Sequence, residues 1–116
     1  MVEGGKIDRA AHSNDLQGTI LETLDFDEAI AVAYKFYQQH PDETLIVVTA
    51  DHETGGTWLN YTGYEVGGSS PVAMSYSTRG HSGVVVPIFA YGEGAEAFAG
   101  VMKNTDIPKK IEQLMK

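Results

Sequence analysis

The sequence predicts an α/β chain, and three observations carry that prediction. Thr44-Leu45-Ile46-Val47-Val48-Thr49-Ala50 is a continuous β-prone run without polar alternation, as expected of a strand covered on both faces in a parallel sheet. Ahead of it, Ala29, Ile30, Val32, Ala33, Phe36 and Tyr37 recur at helical spacing. Residues 84–91 form a second apolar run. One long helix cannot cover both faces of the central strand, so further layers are required.

The elements follow in order. Met1-Val2-Glu3-Gly4-Gly5 reads as the tail of a strand whose earlier residues lie upstream, because acidic and glycine residues more often follow a strand than begin a domain. Residues 7–24 read as a short helical turn at 8–12 followed by irregular structure, with Gly18 arguing against a long helix. Asp25 and Glu28 have the form of a capping box and predict a helix start there, and Pro41 ends that helix near His40. Residues 57–61 and 72–76 are short candidate strands separated by a Gly/Ser-rich connection. Pro87 gives the run at 84–91 an edge or bulged character. A short helix is expected at 95–99, and a last one after Asp106 as cap, with Pro108 in its first turn.

Composition narrows the function. The 116 residues suit one compact domain, and with 42% hydrophobic and 21% charged residues disorder is not expected. A formal charge of −8 argues against a nucleic-acid footprint. It does not argue against a phosphate substrate, because a bound divalent cation reverses the local electrostatics of an acidic site. With no cysteine, a disulfide framework and thiolate metal ligands are excluded, so a zinc site would use nitrogen and oxygen. No apolar run approaches the length of a membrane span, and the N-terminus carries no basic-then-apolar export segment.

Histidine is scarce, with four copies, and three stand beside carboxylates or glycines. His40 fits a solvated residue at a negative helix terminus. Asp8 and His12, four residues apart, project from one helical face, which suits two ligands of one metal. Asp51 and His52 follow the apolar strand at its carboxyl end, where open α/β sheets bind ligands. His81 lies between Gly80 and Ser82, and Glu3 precedes two glycines. Each has a bland reading as a surface pair, a cap or a solvated loop residue. The argument for a metal site lies in the ensemble, since imidazole and carboxylate are what zinc takes when thiolates are absent.

These segments resemble the alkaline phosphatase family. The stretch from Met1 to His12 matches its MVEGxxIDxxxH pattern, Thr49-Ala50-Asp51-His52-Glu53-Thr54-Gly55-Gly56 its TADHETGG segment, and Arg79-Gly80-His81-Ser82-Gly83 its histidine before the last major strand. The likeness continues through Val85, Pro87, Phe89-Ala90-Tyr91-Gly92 and Asn104-Thr105-Asp106. It implies the C-terminal part of an alkaline phosphatase-like three-layer fold with a mainly parallel central sheet. It further implies that residues 1–116 belong to a single such domain. The implied activity is hydrolysis of phosphate monoesters through a phosphoserine, with two zinc ions and one magnesium ion per site. Asp8, His12 and His81 would bind the first zinc, which activates water and stabilises the leaving oxygen. Asp51 and His52 would bind the second, Glu3 the magnesium, and Arg9, where many members have Lys or His, would contact phosphate.

No Asp-Ser-Ala motif is present, and Ser69, Ser70, Ser75, Ser77 and Ser82 have no counterpart as nucleophile, so this chain contains no catalytic serine by resemblance. Alone it is expected to be inactive and to self-associate through open strand edges and exposed apolar surface. Family members are commonly periplasmic or secreted. Two other readings compete: a phosphodiesterase or phosphomutase of the same superfamily, and a zinc-binding structural or interaction module. The complete MVEG…ID…H block favours the phosphatase.

Overall fold

The computed structural model describes residues 1–60 and 73–115. The Gly/Ser-rich connection, with the ends of both neighbouring predicted strands at Tyr61 and Val72, lies outside the described residues. The chain forms two compact units, Met1–Phe26 with His52–Val85, and Asp27–Asp51 with Val86–Lys116.

In the first unit, helix α1 covers Gly5–His12. Asp8 in its first turn and Arg9 and His12 in its last complement the helix dipole. The expected strand tail at the N-terminus is not formed, and Gly5 is already helical. Asn14 closes α1 in the left-handed region at φ 55°, which its short polar side chain tolerates, and its N–H donates to Ala11 C=O at 2.9 Å.

Helix α2 starts at Leu16 and continues to Gln39. The Asp25 capping box is therefore an interior sequence, and the true start is set by Asp15, whose carboxylate accepts the Gly18 N–H at 3.0 Å. Gly18 does not break this helix because it sits in the first turn, where a Cβ would come within 2.4 Å of the capping carboxylate. Ala11, on α1, is buried.

Four short strands complete the unit: β2 at Glu53–Thr54, β3 at Thr57–Leu59, β4 at Met74–Tyr76 and β5 at His81–Ser82, numbered after β1 of the second unit. Strand β2 pairs antiparallel with β5, Glu53 opposite Ser82 and Thr54 opposite His81. Strand β3 pairs antiparallel with β4. Gly55 N–H to Gly80 C=O at 2.8 Å and Ser77 N–H to Gly55 C=O at 3.0 Å join the two ladders end to end. Tyr76 on β4 meets the Thr19 hydroxyl of α2 at 3.2 Å.

In the second unit, α2 ends at Gln39, and Pro41–Glu43 form a 3-10 turn leading to β1 at Leu45–Thr49. Strand β6, Ile88–Gly92, begins immediately after Pro87, in agreement with that residue's missing donor. Its pairing with β1 is antiparallel, from Leu45 opposite Gly92 to Thr49 opposite Ile88. All three ladders among the described residues are antiparallel, so the chain is α/β but the mainly parallel sheet is not formed among them. The unalternating run of β1 indicates cover on both faces and carries no information on strand direction. Leu45 to Val48 are themselves only half-buried.

Tyr34 and Tyr37 of α2 lie 5.5 and 4.9 Å from the Tyr91 ring of β6, an aromatic cluster that holds helix to sheet. The hydrogen bond that the Tyr91 hydroxyl makes to Tyr34, followed by repulsion from the Tyr34 and Tyr37 phenolates once these ionise, raises the Tyr91 phenol above its ordinary value. After a 3-10 turn at Ala95–Phe98, where Phe98 is buried, α3 spans Ile107–Leu114 with Pro108 in its first turn. Asp106 stands at the cap position but its side chain caps nothing; it accepts from Lys109 Nζ at 3.0 Å. Lys110 Nζ donates to Ala97 C=O at 2.8 Å and ties α3 to the turn.

Gly92 has φ 113°, and a Cβ there would come within 2.2 Å of the Thr44 carbonyl. Gly92→Ala is expected to destabilise the fold by roughly 2 kcal/mol or more, from left-handed strain plus the backbone clash. A urea titration followed by tyrosine fluorescence measures this, and an unchanged midpoint would contradict it.

Candidate metal centre

Helix α1 and the β2–β5 ladder bring four of the sequence-selected residues together in the first unit. Asp8 Oδ1 lies 3.4 Å from His12 Nε2 and 3.5 Å from His81 Nε2, and the two imidazole nitrogens are 3.2 Å apart. The four-residue spacing of Asp8 and His12 on α1 supplies one side of this triangle, and the register that sets His81 opposite Thr54 supplies the other. The His52 ring stacks on His81 with centroids 3.6 Å apart. Ligand atoms of Asp8, His52 and His81 all lie within 4.8 Å of one another. Asp8 and His81 thus belong to two overlapping triads, one completed by His12 and the other by His52.

The spacing tests whether zinc fits. Nitrogen and oxygen ligands bind zinc tetrahedrally at about 2.0–2.2 Å, which separates neighbouring donors by about 3.3–3.6 Å. The Asp8–His12–His81 triangle, with edges of 3.2, 3.4 and 3.5 Å, comes close to those dimensions. His12 is prepared for such a role by its other nitrogen: Nδ1 bonds the Arg79 carbonyl, which only accepts, so the proton is on Nδ1 and the lone pair on Nε2.

Asp8 is held as a carboxylate. The Thr54 hydroxyl donates to its Oδ1 at 2.6 Å and lowers its pKa most, partial desolvation opposes this, and the charges of His12, His81 and His52 lower it further. About 40% of the Asp8 side chain and 47% of that of His81 remain accessible, so the cluster is open to a solute.

The other predicted residues are placed differently. Asp51 ends the strand region of the second unit and lines an open depression of about 350 Å³ with Thr49, Ala50, Asn104, Thr105, Ile107 and Pro108. Glu3 and Arg9 are both exposed, and the Glu3 carboxylate is not among the grouped ligand atoms. Arg9 contributes its carbonyl to the Ser13 hydroxyl at 3.3 Å.

Two residues of the ETGG segment, Glu53 and Thr54, shape the site although the resemblance assigns them no role. Thr54 contacts Asp8 and also His52 Nδ1, at 3.2 Å. Glu53 accepts from Gly56 N–H at 3.1 Å, from Thr57 N–H at 2.7 Å and hydroxyl at 3.0 Å, and from the Ser82 hydroxyl of β5. Its carboxylate therefore closes the turn after β2 and joins β2 to β5. Partial burial alone would raise its pKa, but the hydrogen bonds from Ser82, Thr57 and Gly56 outweigh it and leave the group below its ordinary value of 4.5. The motif itself was the available signal; what it could not reveal is which donors fold back onto the carboxylate.

The fold and this cluster define an α/β chain with a histidine–carboxylate centre of the kind that holds divalent metals in hydrolases. The alkaline phosphatase family model matches residues 1–77 and 69–116, and the chain belongs to that family. Alkaline phosphatase 4 of Bacillus subtilis is 28% identical over an alignment covering 100% of this chain and 39% of the relative. The streptomycin-6-phosphate phosphatase of Streptomyces griseus is 36% identical over 91% of this chain and 26% of its own length. Among solved structures, the alkaline phosphatase of the Antarctic bacterium TAB5 superimposes with a TM-score of 0.83 at 41% identity, covering 96% of this chain and 33% of that one. A variant of that enzyme carries magnesium in a site designated M3. The chain spans 26–39% of the length of these two curated relatives.

Because the folded pKa of Glu53 is depressed, its contribution to stability is present above about pH 4.5 and is lost as pH falls through the lower folded value. Glu53→Gln is expected to cost about 1–3 kcal/mol at neutral pH, since an amide cannot accept from every one of these donors. It should also flatten the acid limb of the stability curve. Urea midpoints measured from pH 7 to pH 3 check both; parallel curves for parent and variant would refute the assignment.

Proposed function

We propose that this chain supplies the metal-binding, water-activating side of a phosphomonoester hydrolase. The observation that carries the reading is the triangle of Asp8, His12 and His81, whose edges come close to those of a tetrahedral zinc shell. These three residues would hold the first zinc, His52 with Asp51 the second, and Glu3 the magnesium, while Arg9 would contact phosphate. For Asp51, Glu3 and Arg9 the support is the match of their motifs to the family. The substrate class is supported by relatives named as alkaline phosphatases and by one named as a streptomycin-6-phosphate phosphatase.

Zinc bound at the triangle would supply Lewis-acid charge and a water with its pKa lowered towards 7. The residues of the chain do the rest. Asp8 brings fixed negative charge, oriented by the Thr54 hydroxyl. His12 presents Nε2 because the Arg79 carbonyl keeps its proton on Nδ1. His81 is held in ladder register by β2, itself fastened by Glu53. The open face leaves room for the ester, whose developing charges the cations would neutralise. The serine nucleophile of the phosphoserine route is assigned to parts of the parent that this chain does not span. The parent would be exported, as family members commonly are.

The chain also exposes Val32, Phe36, Val85 and Phe89 at 57–84%. These support self-association of the isolated chain. No helix among the described residues is long and apolar enough to cross a membrane.

Zinc titration of the purified chain by calorimetry is expected to show binding that His12→Ala weakens by ~100-fold or more, a ligand counting for at least as much as an outer-shell partner. The same preparation is expected not to hydrolyse p-nitrophenyl phosphate. Equal zinc affinity in parent and variant would overturn the ligand assignment, and chelator-sensitive turnover by the chain would overturn the division of labour.

A further inference from the structure

We propose that Thr54 is a positioning residue that couples the two triads of the cluster, its single hydroxyl orienting Asp8 and fixing the tautomer of His52 at the same time. The hydroxyl oxygen lies 2.6 Å from Asp8 Oδ1 and 3.2 Å from His52 Nδ1. A threonine hydroxyl has one proton to give and lone pairs to receive with. At neutral pH a carboxylate only accepts, so the proton goes to Asp8. The oxygen then accepts from His52, whose Nδ1 must carry the hydrogen. The neutral ring's lone pair is thereby on Nε2, the same arrangement that the Arg79 carbonyl imposes on His12.

The two bonds run in one direction, from His52 Nδ1–H to Thr54 Oγ1–H to the Asp8 carboxylate. Their donors and acceptor come from different elements. Thr54 lies on β2, two residues after His52 and opposite His81, whereas Asp8 and His12 ride on α1. Thr54 is therefore a side-chain link between the segment that carries His52 and the helix that carries Asp8 and His12. A one-hydroxyl link of this kind orients ligands without being one, and its removal leaves the same donors less well aligned.

The link and the tautomer stand on geometry alone; their value for metal binding rests on the reading proposed above. The test compares the parent chain with Thr54→Val, which keeps the shape and loses the hydroxyl, and Thr54→Ser, which keeps the hydroxyl. Long-range ¹H–¹⁵N correlation spectra of the metal-free chain report the His52 tautomer, and zinc chloride titration reports affinity. The parent and Thr54→Ser are expected to show His52 protonated on Nδ1, and Thr54→Val to shift towards the Nε2–H form with zinc affinity ~10–100-fold weaker. An Nε2–H tautomer in the parent overturns the proposal, and it needs no variant to fold. So does a Thr54→Val chain with the parent's tautomer and affinity. If the parent shows the Nδ1–H tautomer but takes up no zinc, the metal reading falls while the Thr54 link stands.

Discussion

The arrangement in the first unit depends on how one carboxylate, that of Asp8, is satisfied. Its Oδ1 receives the Thr54 hydroxyl and faces the Nε2 atoms of His12 and His81 at 3.4 and 3.5 Å. A half-exposed carboxylate could satisfy itself with water; here it is surrounded by donors and lone pairs from three segments far apart in the chain. Concentrating negative charge and imidazole nitrogen within one donor–donor spacing is costly without a cation and favourable with one. The geometry thus makes sense as a place prepared for a divalent metal.

Precision at that place comes from a second carboxylate with the opposite task. Glu53 faces only donors, and they belong to the turn after β2 and to β5. By drawing these together it fixes the two-residue ladder in which Thr54 stands opposite His81. So short a ladder has too few backbone hydrogen bonds to hold its own register. The charged, multiply bonded side chain supplies what the backbone lacks, and the stacked rings of His52 and His81 inherit their alignment from it.

The second unit contrasts with this polar construction. It relies on the β1–β6 pairing, the tyrosines at 34, 37 and 91, and the buried Phe98. Helix α2 is apolar over much of its circumference yet has no fully buried residue. An apolar helix and an unalternating strand, both left partly exposed, are the signature of elements whose covering layers lie elsewhere. This agrees with a chain that spans 26–39% of its curated relatives.

What the sequence by itself determined is local. The Asp8–His12 spacing on one helical face, the strand at 45–49, the stop at Pro41 and the break at Pro87 are all set by neighbours within a turn or a strand, and the family motifs mark the same positions. Where local signals competed, the stronger one was not evident: Asp25 offers a plausible cap, but Asp15 caps the same helix ten residues earlier by accepting the Gly18 N–H. Only the tertiary structure decided that β1 takes an antiparallel neighbour, since an apolar run reports cover and not direction. Only it brought His81 within 3.2 Å of a histidine 69 residues away, and set Thr54 between Asp8 and His52. Those contacts depend on register across a ladder and on the crossing of helix and strand, and neither is encoded in the spacing of residues along the chain.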